Sequence, residues 1–277
     1  MRTILILLFS ICTVTIYSQS NFQGKAIYLS KTSMNMNLDG MQISENQKKR
    51  FAERLKGFLE KTFVLNFNQT ESTYKEESKL GAPGQGGGRF GSMMSFGAGL
   101  KYKNTKDAIV LEESEFFGKQ FLISDSGVKP EWKLGSETKK IGNYICYKAT
   151  LIKEIDQFSF AAFGRRGRGN NTTTEKEDNK PKTMIVTAWY TPQIPVSQGP
   201  GEYWGLPGLI LEVNAGTTTV LCTEITMNPT EKVTLKMPKK GKKVTRDEYN
   251  KIVKKKTDEM REQFRGRGGN RGGGRRG

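Results

Sequence analysis

Gly24-Lys25-Ala26-Ile27-Tyr28-Leu29-Ser30-Lys31-Thr32-Ser33-Met34-Asn35-Met36-Asn37-Leu38 is extended-chain sequence. Ala26, Tyr28, Ser30, Thr32, Met34 and Met36 fall on one side of a two-residue repeat, with Lys25, Ile27, Leu29 and Lys31 on the other. That is the pattern of a long strand with two mixed faces. Phe63, Leu65 and Phe67 repeat the period, and the polar stretch 68–74 either prolongs this strand or turns back beside it. Further strands are expected at 108–111, 119–124, 144–152, 183–190, 209–213 and 218–227. Their succession fits an antiparallel meander.

Two helices interrupt it. Ser44-Glu45-Asn46-Gln47 is a capping box, followed by Phe51, Leu55, Phe58 and Leu59 at helical spacing, so this helix is expected to lay an apolar stripe on the sheet. A second box, Thr245-Arg246-Asp247-Glu248, precedes Tyr249, Ile252, Val253 and Met260, a narrow stripe beside Lys254-Lys255-Lys256 that suits a peripheral helix. The expected fold is mainly β (α+β): a single curved antiparallel sheet or half-barrel with two helices.

The two ends of the sequence carry the expectations for compartment and domain limits. One positive charge at Arg2 precedes an apolar run from Ile4 to Ile16, which gives way to Tyr17-Ser18-Gln19-Ser20-Asn21. This run is shorter than the roughly 20 apolar residues of a membrane span, and residues 1–19 read as a secretory signal peptide cleaved after Ser18 or Gln19. Cys12 would be the acylated residue of a lipoprotein, but Phe9-Ser10-Ile11 is a poor context for acylation. The expected location is the periplasm or the extracellular space. In such an oxidising place Cys146 and Cys222 either form a disulfide or serve as small buried apolar residues.

Three stretches, 81–99, 164–182 and the tail 264–277, are so rich in glycine and charge that they are expected to be disordered. A single β-rich domain is therefore expected over residues 20–263.

The formal charge of +17 invites a nucleic-acid reading, and the tail, with Arg265, Arg267, Arg271, Arg275 and Arg276, is similar to arginine-glycine segments of RNA-binding proteins. Export argues against that use. A basic tail outside the cytoplasm meets anionic envelope surfaces or acidic proteins, or simply remains solvated.

Catalytic signals are sparse. The chain has no histidine, which removes histidine triads and the usual zinc ligand sets. Ser136-Glu137-Thr138-Lys139 has serine-lysine spacing but reads as a polar turn before a strand. Glu112, Glu113 and Glu115, like Asp247 and Glu248, read as solvated carboxylates, and Gly86-Gly87-Gly88 lacks the lysine of a phosphate loop. No catalytic residue, metal site or cofactor is expected.

The stretch Ala188-Trp189-Tyr190-Thr191-Pro192-Gln193-Ile194-Pro195-Val196-Ser197-Gln198-Gly199-Pro200-Gly201-Glu202-Tyr203-Trp204-Gly205-Leu206-Pro207-Gly208-Leu209-Ile210-Leu211-Glu212-Val213 closely resembles the signature of the GLPGLI family, whose name is the hexapeptide at residues 205–210. Glu131-Trp132-Lys133-Leu134 and Lys139-Lys140-Ile141-Gly142-Asn143-Tyr144-Ile145-Cys146-Tyr147-Lys148-Ala149 also resemble family segments, as does Gly241-Lys242-Lys243-Val244-Thr245. The resemblance covers residues 24–260, apart from the glycine- and arginine-rich insertions. It implies an exported protein of Gram-negative bacteria without an assigned catalytic activity, of a kind often found alongside outer-membrane receptors.

Within the signature, Pro207 and Gly208 suit a type II turn, with a positive φ at Gly208, after Gly205. Ile194-Pro195 and Gly199-Pro200-Gly201 impose a rigid extended excursion. Two readings are open. One is a crossing loop packed by its own aromatics; the other is a fixed loop presenting Trp189, Tyr190, Tyr203, Trp204 and Leu206 to a ligand. The expected role is binding or assembly, with an apolar ligand, a peptide or an outer-membrane receptor as partner. Met34, Met36, Phe63, Leu65 and Phe67 are candidates to line an apolar cavity.

Overall fold

Alternation decides the first strand and, through it, the centre of the sheet. In the computed structural model, which describes residues 22–33, 44–77, 99–154, 183–231 and 233–268, Gly24, Ala26 and Tyr28 of β1 (Gln23–Thr32) are buried and Lys25 is exposed. Residues 34–38 lie outside the described residues. The Ser44 capping box opens α1 (Glu45–Leu59): Gln47 N donates to Ser44 Oγ at 3.3 Å and Ser44 N to Gln47 Oε1 at 3.0 Å. The side chains of Phe51, Leu55 and Phe58 lie outside the described residues; Leu59 is half-buried. The chain then passes directly into β2 (Glu60–Asn68), where Leu65 and Phe67 are fully buried, each contributing roughly 1.5–3 kcal/mol of apolar burial. At Asn68 the chain does turn back. The Asn68 side chain accepts from the Thr70 and Glu71 amides, and β3 (Glu71–Glu76) returns antiparallel to β2.

The sequence continues through β4 (Lys101–Asn104), β5 (Ile109–Phe116), β6 (Lys119–Ser126), β7 (Lys133–Ile141), β8 (Tyr144–Glu154), β9 (Thr183–Thr191), β10 (Leu209–Ala215), β11 (Thr218–Met227), β12 (Lys242–Val244) and α2 (Arg246–Gly268). Among the described residues the strands join one open sheet of 12, in the order β12-β6-β5-β4-β3-β2-β1-β11-β10-β9-β8-β7. β12 pairs with β6 in parallel and every other pairing is antiparallel, so the sheet is mixed. This corrects the expected single antiparallel half-barrel. Three strands, β4, β7 and β12, add to those read from the sequence, and the short C-terminal β12 supplies the parallel pairing.

Several local expectations also change. Residues 136–139 lie within strand β7, not in a turn, and Ser136 falls in an irregular stretch of its pairing with β8. Helix α2 opens with the Thr245 box, Glu248 N donating to Thr245 Oγ1 at 3.2 Å and Thr245 N to Glu248 Oε2 at 2.9 Å. It runs to Gly268, beyond the expected start of the tail at 264. Arg265 and Arg267 therefore stand on helical backbone, while Arg271, Arg275 and Arg276 lie outside the described residues, as do residues 1–19, 81–98 and 164–182. Tyr249 and Val253 of α2 pack on Phe116, Phe121, Ile123 and Val244, closing one end of the sheet. The main apolar cluster, around Tyr28, Leu65, Phe67, Leu209 and Leu211, sits at the sheet centre, and a second gathers around Val186, Ala188, Leu206 and Ile210.

Candidate functional site

The connection between β9 and β10, residues 192–208, holds the signature and is fixed by its own backbone. Leu209 N donates to Ile194 O at 3.0 Å, Ile210 N to Gln198 O at 3.1 Å and Gly205 N to Ser197 O at 3.1 Å. Prolines 192, 195, 200 and 207 have no N–H to satisfy, so few donors remain to compete with this arrangement. Ile194 and Val196 enter the main apolar cluster.

The turn is built differently from the sequence expectation. Gly205 has φ +92° and Gly208 does not have a positive φ. A Cβ on Gly208 would lie 2.2 Å from Thr191 O, so this glycine serves close backbone approach and Gly205 supplies the left-handed conformation. Pro207 is exposed.

The predicted binding side chains mostly point inward. Tyr190 is 6% exposed, Trp204 7% and Leu206 1%, while Trp189 and Tyr203 are half-buried. Lys139 Nζ lies 5.1 Å from the Trp189 ring centroid and bonds Glu212 Oε2 at 2.6 Å. Trp132 Nε1 donates to Trp204 O at 2.8 Å, and Tyr28 Oη donates to Ile210 O at 2.7 Å. Aromatic groups thus pack the loop to the sheet. Leu65 and Phe67 are likewise fully buried in the core and Phe63 is half-buried beside it; Met34 and Met36 lie outside the described residues. A cavity of about 360 Å³ does exist, lined by groups including Val64, Asn66, Thr73, Lys75, Glu76 and Lys236, and it is mixed in polarity.

Beneath the loop lies a polar cluster that sequence reasoning missed. Lys103 is 1% exposed, and its Nζ donates to Gly199 O at 2.7 Å and Tyr203 O at 3.5 Å. Burial, reinforced by neighbouring Lys101 and opposed by Glu202, lowers its pKa from 10.5 to about 7. Ser72, opposite Lys103 on β3, donates through Oγ to Gln198 Oε1 at 2.7 Å. Glu202 is exposed at its outer side, 52% of its side chain, and bonds Lys153 of β8 at 2.5 Å; crowding by protein atoms opposes its ionisation, but Lys153 and Lys101 outweigh that and hold its pKa down. The loop thereby ties β4 to β8, strands that six others separate in the sheet. No local signal marked Lys103, which stands beside Tyr102 in a lysine-rich stretch, yet Tyr102 and Lys103 are both buried.

Glu112 is also corrected from solvated to buried. It pairs with Arg246 Nη2 at 2.6 Å and Lys101 Nζ at 3.2 Å, and Arg246 Nε reaches Asp125 at 3.5 Å. Cys146 and Cys222 are free thiols in the main cluster; no disulfide joins them. Burial pushes Cys146 up to about 11 and Cys222 to about 12. Among the described residues no group of three His, Cys, Asp or Glu side chains gathers as a metal site requires.

The comparisons place part of the chain. A family model described as a protein of unknown function (Porph_ging) matches residues 132–212, from the tryptophan that bonds the loop to the glutamate that bonds Lys139. No curated protein matches the chain at a significant level. Solved structures of PNGF-II in two space groups are 15% identical, with TM-scores of 0.47 and 0.46, each covering 84% of this chain. The matches cover 32% and 33% of the PNGF-II chains, so this chain spans about a third of their length.

Proposed function

We propose that the chain is an exported GLPGLI-type protein of the cell envelope, periplasmic or extracellular, that acts as a non-catalytic binding or assembly module. The hexapeptide at 205–210 and the signal-like residues 1–19 support the type and the compartment. The observation that carries the role is the state of Lys103. The amine is buried and spent on two loop carbonyls, so the most perturbed basic group described holds the loop instead of meeting a substrate. The signature loop is then scaffold, and the exposed surface makes the contacts.

Native mass spectrometry of the protein purified from its own envelope tests this reading. A partner protein or apolar ligand retained at stoichiometric level is the expected result. A bare protein that turns over a substrate overturns it. Release of all partners at high salt, with loss of vesicle binding on deletion of residues 269–277, moves the role to the basic tail and anionic surfaces.

A further inference from the structure

Strand β7 ends the sheet on one side, and its outer edge pairs with no strand among the described residues. Such an edge is a template for a further strand along its regular part, Thr138 to Ile141, which the irregular pairing between Leu134 and Thr138 separates from Lys133 and Leu134. The hairpin with β8 decides which groups face outward. Ile141 and Tyr144 flank the two-residue turn Gly142-Asn143 and form a hydrogen-bonded pair, so by alternation Lys139 bonds inward to Cys146 while Thr138 and Lys140 turn their N–H and C=O groups out. Ile145, opposite Lys140, agrees with this: its N–H bonds away from β7, to Gln193 Oε1 at 2.9 Å.

Two kinds of side chain surround the edge. Leu134, Ile145 and Tyr147 are 61%, 54% and 38% exposed, and the pairings Leu134↔Ala149, Thr138↔Tyr147 and Lys140↔Ile145 put them on one face. The charge is basic. Lys133 and Lys140 make no ion pair among the described residues, whereas Glu137 is taken by Lys148 at 2.7 Å. Lysines on an edge repel a second copy, because self-pairing sets like charges side by side. The same lysines favour a strand of opposite sign.

We propose that the outer edge of β7 accepts an extended acidic segment of a partner protein by strand addition. Its backbone bonds Thr138 and Lys140; on the face of Leu134, Ile145 and Tyr147 its apolar side chains cover those three and a carboxylate meets Lys140, while a carboxylate on the other face meets Lys133. The proposal rests on the binding-module reading and gives it a place and a partner chemistry.

The test is fluorescence anisotropy of the full chain with a labelled nine-residue peptide of repeating Glu-Glu-Val-Val, which puts carboxylate and apolar side chains on both faces of a strand, and with its counterpart carrying lysine for glutamate. The acidic peptide is expected to bind and the lysine peptide not to. Lys140→Pro removes an outward N–H without touching the ladder to β8, and is expected to weaken binding roughly tenfold or more, as is the double change Lys133→Glu with Lys140→Glu. Circular dichroism checks that both variants fold; Thr138→Pro is the substitute if the first does not.

Absence of acidic-peptide binding, equal binding of the two peptides, or unchanged binding by Lys140→Pro overturns the proposal. So does a dimer that Lys140→Pro abolishes, which would make a second copy the occupant. A native partner that stays bound to Lys140→Pro refutes this placement alone and leaves the module reading standing.

Discussion

Replacing Lys103 by methionine isolates the buried amine. Its pKa falls from 10.5 to about 7 in the folded protein because burial penalises the ammonium, so ionising it there costs about 5 kcal/mol relative to the unfolded chain. Between pH 7 and 10.5 the unfolded chain holds the proton and the folded chain does not. Raising the pH through that window therefore stabilises the fold, and the stabilisation is lost again as the pH falls to 7. Integrated from pH 6 to pH 9, this one group accounts for about 3 kcal/mol.

Lys103→Met lacks that dependence, while exposing Gly199 O and Tyr203 O to the loss of a donor at a cost of about 1–3 kcal/mol. At pH 6 the variant is expected to be at least as stable as the parent. Urea unfolding of both proteins at pH 6, 7.5 and 9 measures the gap, and every other titrating group cancels in the difference. Parallel stability curves, with a gap that stays constant across the range, would show that Lys103 is not a buried, discharging amine and would refute the reasoning.

Three further outcomes follow from the loop and the core. Gly208→Ala is expected to cost at least about 2 kcal/mol by thermal melting, because its Cβ meets Thr191 O at 2.2 Å, whereas Gly142→Ala, in open space at φ +57°, is expected to cost only about 1 kcal/mol. Leu206→Ala empties a 1% exposed site in the second cluster, and denaturant titration is expected to register a loss of about 2–5 kcal/mol. Cys146 and Cys222 are expected to resist Ellman's reagent at pH 8 in the folded protein and to react once urea is added, since burial raises both thiols to about 11 and 12.

Half-buried strands and capped helices were legible because their signals are local. The alternation of Ala26 and Tyr28, or of Leu65 and Phe67, survives without knowledge of the partner strand, and each capping box closes within four residues. Strand β7 was not legible, since an exposed edge has no buried face to impose a period and Ser136-Glu137-Thr138-Lys139 reads as a turn. Lys103 was invisible for a different reason. Its partners, Gly199 and Tyr203, lie about a hundred residues away, and only the assembled sheet brings them together. The signature loop was recognised as rigid, but the division of labour between Gly205 and Gly208 depends on where Thr191 O comes to rest.

The pairing of β1 with β11 sets the order in which this chain reaches its final form. Gly24 lies beside Met227 and Thr32 beside Thr218, so the central seam joins segments nearly two hundred residues apart. The hairpins β2–β3, β5–β6, β7–β8 and β10–β11 close short loops and form first, because ring closure over few residues loses less chain entropy. A chain delivered N-terminus first leaves β1 without its second neighbour until residue 227 has emerged. For that interval Ala26 and Tyr28 have no complete core to enter, and the nascent chain is at its most vulnerable to aggregation and to proteolysis.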